Sequence, residues 1–118
     1  MTKRAPDHVV RLDGRSMTSK EGFHRTFADA LGFPDFYGAN MDAWLDCMSC
    51  IDHPASGMSS IHVPPGGRLV VRIDNAGIMR KAAPDLWKQV QEVLEYVNER
   101  LRSDEGSRIR IVKGRSTQ

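Results

Sequence analysis

Asp42 and Asp46 are the residues of this chain whose type and spacing most clearly suggest chemistry. At i and i+4 on a helix they lie about 40° apart on the helical wheel, with Ser49 beside them. The apolar residues Met41, Trp44, Leu45 and Met48 recur at i, i+3, i+4 and i+7 and centre on another face, so both carboxylates should meet solvent. Like charges at this spacing cost a few tenths of a kcal/mol. The helix N-terminus offsets part of that cost for Asp42 and less for Asp46. A carboxylate pair that local stability does not require suits a cationic partner or a metal ion.

The metal readings have little else behind them. Mg²⁺ held by Asp42 and Asp46 in a phosphate-handling enzyme would need phosphate-binding residues nearby, and no Walker-type sequence is present. Cys47-Met48-Ser49-Cys50 is a single C-x-x-C, with His53 and His62 available to complete a zinc set, which is weak evidence. A redox dithiol would favour a helix N-terminus, and this pair lies toward the C-terminal end of its helix. The four histidines, His8, His24, His53 and His62, are scattered without a nucleophile-base order. No metal, cofactor or catalytic residue is expected, and the cysteines read as small buried or half-buried side chains.

Charge distribution favours the cationic partner. From Thr26 to Gly67 there is no Lys or Arg, while Asp29, Asp35, Asp42, Asp46 and Asp52 give −5; the rest of the chain is +7, for a net +2. One surface should therefore be acidic and its partner basic. Phe36 and Tyr37, directly before Gly38, add aromatic surface beside the carboxylates, the composition of a binding hot spot. One of the two rings is expected to close over the core.

These residues need a scaffold, and 118 residues suffice for one domain. The run from His8 to Gly14 favours a strand. Thr18-Ser19-Lys20-Glu21 fits a capping box ahead of a helix over about 19–31, with Phe23, Phe27, Ala30 and Leu31 on its apolar face and Gly32 as its stop. Asn40 can cap the second helix. Residues 52–67 form a connector without periodicity, and Arg68–Asp74 reads as a central strand. After a turn at Asn75-Ala76-Gly77 and a basic patch at Arg80-Lys81, Pro84 opens the longest helix, with Leu86, Val90, Val93, Leu94, Val97 and Leu101 as its stripe. Arg108–Lys113 alternates as a last strand whose charges protect an edge. Helical crossovers between strands make an α/β fold, a small three-stranded parallel sheet flanked by helices. Residues 1–7 and 114–118 read as tails. With no run of 18 apolar residues and no apolar leader at the N-terminus, a cytoplasmic protein with no membrane contact is expected.

The segment Phe33-Pro34-Asp35-Phe36-Tyr37-Gly38-Ala39-Asn40-Met41-Asp42-Ala43-Trp44-Leu45-Asp46-Cys47-Met48 resembles the signature of the barstar family, intracellular inhibitors of barnase-type ribonucleases. The element order is also similar to that family's fold. The resemblance implies that the second helix and its preceding loop plug a ribonuclease active site, with Asp42 and Asp46 as the inhibitory aspartates, Phe36 as the loop aromatic and Gly38 as the loop glycine. It implies a glutamate from the last helix as well, at Glu99 or Glu95. Trp44 is expected to add apolar contact. The chain departs from the pattern in having Phe36 for a tyrosine and Trp44-Leu45 where the indole usually stands second. The implied partner is a basic, barnase-like ribonuclease or a related toxin, with no direct contact to nucleic acid, and the free protein is expected to be a monomer. The rival readings are an immunity or binding protein for another toxin on this scaffold, and a metal-binding phosphate-handling enzyme using Asp42 and Asp46.

Overall fold

A computed structural model describes residues 7–104 and 106–116. Three strands, β1 (His8–Asp13), β2 (Arg68–Asp74) and β3 (Arg108–Lys113), form one parallel sheet in the order β1-β2-β3. Between β1 and β2 come α1 (Lys20–Leu31) and α2 (Met41–Met48); between β2 and β3 come α3 (Ala76–Ala82) and α4 (Pro84–Asp104). The expected α/β class, sheet and central strand are all present. Among the described residues no helix is long and apolar enough to cross a membrane.

Strand β2 alternates strictly. Leu69, Val71 and Ile73 are buried, while Arg68, Val70, Arg72 and Asp74 on its other face are not. Onto the apolar face pack Phe23, Phe27 and Leu31 of α1, Trp44, Cys47 and Met48 of α2, and Leu86, Val90, Leu94, Val97 and Leu101 of α4. The stripe of α4 is the one its periodicity predicts, except that Val93 is only half-buried. Consecutive parallel strands joined by right-handed crossovers place both crossovers on the same side of the sheet. The result is a helix layer over one sheet face.

Several local details differ from expectation. The N-cap of α1 is Ser19, whose Oγ accepts from the Gly22 backbone N–H at 3.1 Å, so the box beginning at Thr18 does not form. Gly32 ends that helix at φ +64°, a left-handed backbone that favours glycine. Helix α3 occupies the segment read as a turn and a basic patch. It is short and contains Gly77, and what holds it is burial of Ala76 and Met79 rather than an amphipathic repeat. The 52–67 connector straps the end of α1: Ser59 Oγ and the Ser60 backbone N–H both donate to the Leu31 carbonyl, at 2.9 and 2.7 Å. Of the expected tails, residues 1–6 and 117–118 lie outside the described residues. Asp7 accepts from Arg68 at 2.7 Å, and the backbone N–H groups of Gly114 and Arg115 donate to the Ile73 carbonyl and to Asp74, each at 2.8 Å.

Besides its apolar stripe, helix α4 is held to β3 by the Asn98 side chain. Asn98 donates to the Ile109 carbonyl at 2.9 Å and accepts from the Ile109 backbone N–H at 2.7 Å. Asn98→Ala removes both bonds and leaves the Ile109 peptide groups without these partners. A loss of about 1–3 kcal/mol in urea unfolding is expected, with an unchanged denaturant slope.

Candidate functional site

Helix α2 is set by its two ends and its underside. Asn40 caps it, its side-chain oxygen accepting from the Ala43 backbone N–H at 2.8 Å. Underneath, the Trp44 ring sits 5.6 Å from Phe23 and 5.5 Å, edge-on, from Phe27. Trp44 is 0% exposed, so it belongs to the core. The expectation that Trp44 supplies apolar contact to a partner is corrected: the ring points into the helix layer. The outward position falls instead to its neighbour Leu45, which is half-buried.

With the helix so rotated, Asp42 and Asp46 are both exposed. Neither takes part in helix capping or packing. The nearest cation to Asp46 is Arg100 of α4, 3.6 Å away, with side chains 60% and 57% exposed respectively. A solvated pair of this kind contributes little to stability. Leu45, Tyr96, Glu99 and Arg100 line an open groove of about 500 Å³ between α2 and α4. Glu99, rather than Glu95, therefore shares the groove with α2. On the other side of Arg100 a second groove of about 460 Å³ is lined by Asp46, Cys50, His53 and Met58 among others. Tyr96, 64% exposed, and Arg100 were not singled out from the sequence. The signal was there in Tyr96, a large ring off the apolar stripe of its helix.

The loop before α2 divides its two aromatics as expected. Tyr37 packs on Phe33, with ring centroids 4.8 Å apart, and its hydroxyl hydrogen-bonds His24 Nδ1 at 2.5 Å. Burial pushes its phenol well above the usual range. Phe36 is 76% exposed. A Cβ on exposed Gly38 would meet only the far end of the Asn40 side chain, at 3.3 Å, and Ala43 Cβ at 3.8 Å. A methyl group there would press on the Asn40 side chain that caps the helix. Ala39, by contrast, is held at φ +52°, a left-handed backbone unusual for any residue but glycine, asparagine or aspartate. Strain of this kind gathers where a loop is preorganised.

The rest of the acidic window is less uniform than its sequence. Asp29 and Asp35 are exposed, but Asp52 is only 3% exposed, with Oδ1 3.2 Å from His53 Nε2. Asp52 therefore adds nothing to an acidic surface. Cys47 is buried, and burial, with Cys50 and Asp46 nearby, pushes its thiol up to about 11, which keeps it protonated at neutral pH. Among the described residues no group of three His, Cys, Asp or Glu side chains is placed to share a metal ion.

Comparison with known proteins places this geometry in a family context. The family model described as Barstar (barnase inhibitor) matches residues 7–113. A protein of Bacillus subtilis (strain 168) named as a candidate ribonuclease inhibitor, YrdF, is 45% identical over 40 residues. That match covers 34% of this chain and 44% of the relative, less than half its length.

Two outcomes follow from the loop. Ala39→Gly relieves the left-handed backbone, so thermal or urea unfolding should show a gain of up to about 1 kcal/mol. The pKa of His24 is lowered below 6.5, first by burial and then by the nearby Lys20 charge. The unfolded chain then takes up the proton more readily than the folded one. Stability from this group is full above about pH 6.5 and declines as the pH falls below it. Melts between pH 7.5 and 5.5 should fall for the wild type, and fall less for His24→Gln; equal declines would show that another group is responsible.

Proposed function

The chain belongs to the barstar family of barnase inhibitors, and on that premise we propose that it inhibits a basic, barnase-type ribonuclease by stoppering the cationic active site with α2 and the loop before it. In this reading it does no chemistry itself, and acts in the cytoplasm as a monomer. The observation that carries the reading is the exposed carboxylate pair, Asp42 and Asp46, on a helix whose cap and anchor fix its direction while neither aspartate is the cap or part of the core.

A ribonuclease must line its site with cationic and hydrogen-bond-donating side chains to hold phosphates, and rigid carboxylates at matching positions can replace the substrate's charge. Asp42 and Asp46 provide that charge, and Glu99 adds a third carboxylate across the groove. Phe36 and Leu45 supply apolar contact, the place earlier given to Trp44. Gly38, exposed and without a side chain, lets the partner's backbone come close. On binding, Asp46 exchanges the guanidinium of Arg100 for one of the enzyme's.

Calorimetric titration of the protein with a barnase-type ribonuclease should give a one-to-one complex. Asp46→Ala should weaken it by about 2–5 kcal/mol, because a cation of the enzyme is left buried without its partner. Unfolding of the same variant should change by no more than about 0.5 kcal/mol, as for other exposed positions. Absence of any complex with the wild type, or a lowered melt with unaltered affinity in Asp46→Ala, would defeat the proposal.

A further inference from the structure

The sheet has a second face, and among the described residues no helix covers it. Parallel sheets ordinarily have both faces packed, because their crossovers fall on both sides. Here the order β1-β2-β3 puts every crossover on one side. The register aligns Val9 with Val70 and Arg110, Arg11 with Arg72 and Val112, and Arg68 with Arg108. All of these side chains lie on the open face, and none is buried. Val9 is 55% exposed. Five arginines from three strands thus share one surface, separated by valines.

Carboxylates account for part of this charge. Asp7 holds Arg68 at 2.7 Å, and Asp74 lies 3.2 Å from both Arg11 and Arg72. Asp13, at the far end of the face, is taken by Arg15. Arg108 and Arg110 form no ion pair among the described residues, and Arg108 continues with Arg102 along a groove of about 260 Å³ beside β3. The alternating charge of β3, read from the sequence as protection of an edge, is one column of a basic surface.

We propose that this open face binds the phosphate backbone of single-stranded nucleic acid. Guanidinium groups match phosphate oxygens in a planar, bidentate manner that ammonium groups do not. Side chains on one strand face repeat every 6.6 Å or so, with neighbouring strands about 4.8 Å apart, giving a flat cationic lattice on which an extended chain can lie. The face carries no aromatic ring, so there is no platform on which bases stack. Binding is therefore indifferent to sequence and steep in salt. The site lies across the sheet from α2, and a bound ribonuclease leaves it free.

The test is fluorescence anisotropy of a labelled single-stranded oligouridylate at several salt concentrations. Wild-type affinity should fall linearly on a log-log plot against salt. Arg108→Ala/Arg110→Ala should bind on the order of tenfold more weakly at low salt, with the slope reduced by about 1.4, two phosphate contacts' worth. Asp42→Asn/Asp46→Asn should bind the oligonucleotide as well as the wild type, and both double variants should keep the wild-type circular dichroism. Because Arg108 and Arg110 are exposed, folding is not at stake; Arg110→Glu serves as an independent variant and should also bind more weakly. No binding at low salt, or binding that these substitutions leave unchanged, overturns the proposal. Self-association at low salt that both double variants abolish would instead give the face to the acidic helix of a second copy, and overturns it too. None of these outcomes bears on ribonuclease binding, which the titration above decides separately.

Discussion

Parallel pairing of three strands in sequence order is the constraint from which the rest of the molecule follows. Each strand must return to the same end before it can pair with the next, and the return is right-handed. With β2 between β1 and β3, both returns cross the same sheet face. Most of the large apolar side chains of α1, α2 and α4 are thereby gathered into one layer. A three-stranded sheet offers little ladder of its own, so burial between that layer and Leu69, Val71 and Ile73 supplies most of the stability.

Within that layer the direction of α2 is decided by apolar burial. Eight residues are too few for a helix to persist alone in water. Trp44 packs it on Phe23 and Phe27 of α1, and Cys47 and Met48 are buried in the same core. Once those three are inward, a rotation of 100° per residue leaves positions 42 and 46 outward. The aspartates are displayed because the tryptophan is hidden. The strained backbone at Ala39 and the cap at Asn40 fix where the helix begins, so the loop aromatic and the carboxylates keep a set relation. Rigidity of this kind limits the ordering cost of association.

Features with a local cause were legible in the sequence. Strand β2, the stripe of α4, the Asn40 cap and the split between Phe36 and Tyr37 each follow from periodicity, capping chemistry or the limited size of one core. What depended on how elements meet was not legible. Met41, Trp44, Leu45 and Met48 span more of the α2 surface than the core covers, and only the packing shows that Trp44 goes in while Leu45 stays half out. Asp52 looked like one more charge in an acidic stretch, and the chain turn after α2 buries it. Helix α3 carried no repeat because two inward residues suffice to hold it. Which glutamate lines the groove beside Leu45 turned on the rotation of α4, which burial of its apolar stripe sets.

Net charge was the least informative quantity for the same reason. A value of +2 averages an acidic stretch, residues 26–67, and a basic remainder divided between the open sheet face and the helices. The acidic stretch exerts a local field that attracts a cationic partner and fades as salt screens it. Arg100 modifies that field where it matters most, sitting beside Asp46 while Asp42 stands clear. In the proposed complex the partner would have to present a cation that holds Asp46 better than a solvated arginine does. Long-range charge would set how fast the two surfaces meet. That exchange at one carboxylate, together with the fit around Leu45 and Phe36, would set which partners stay.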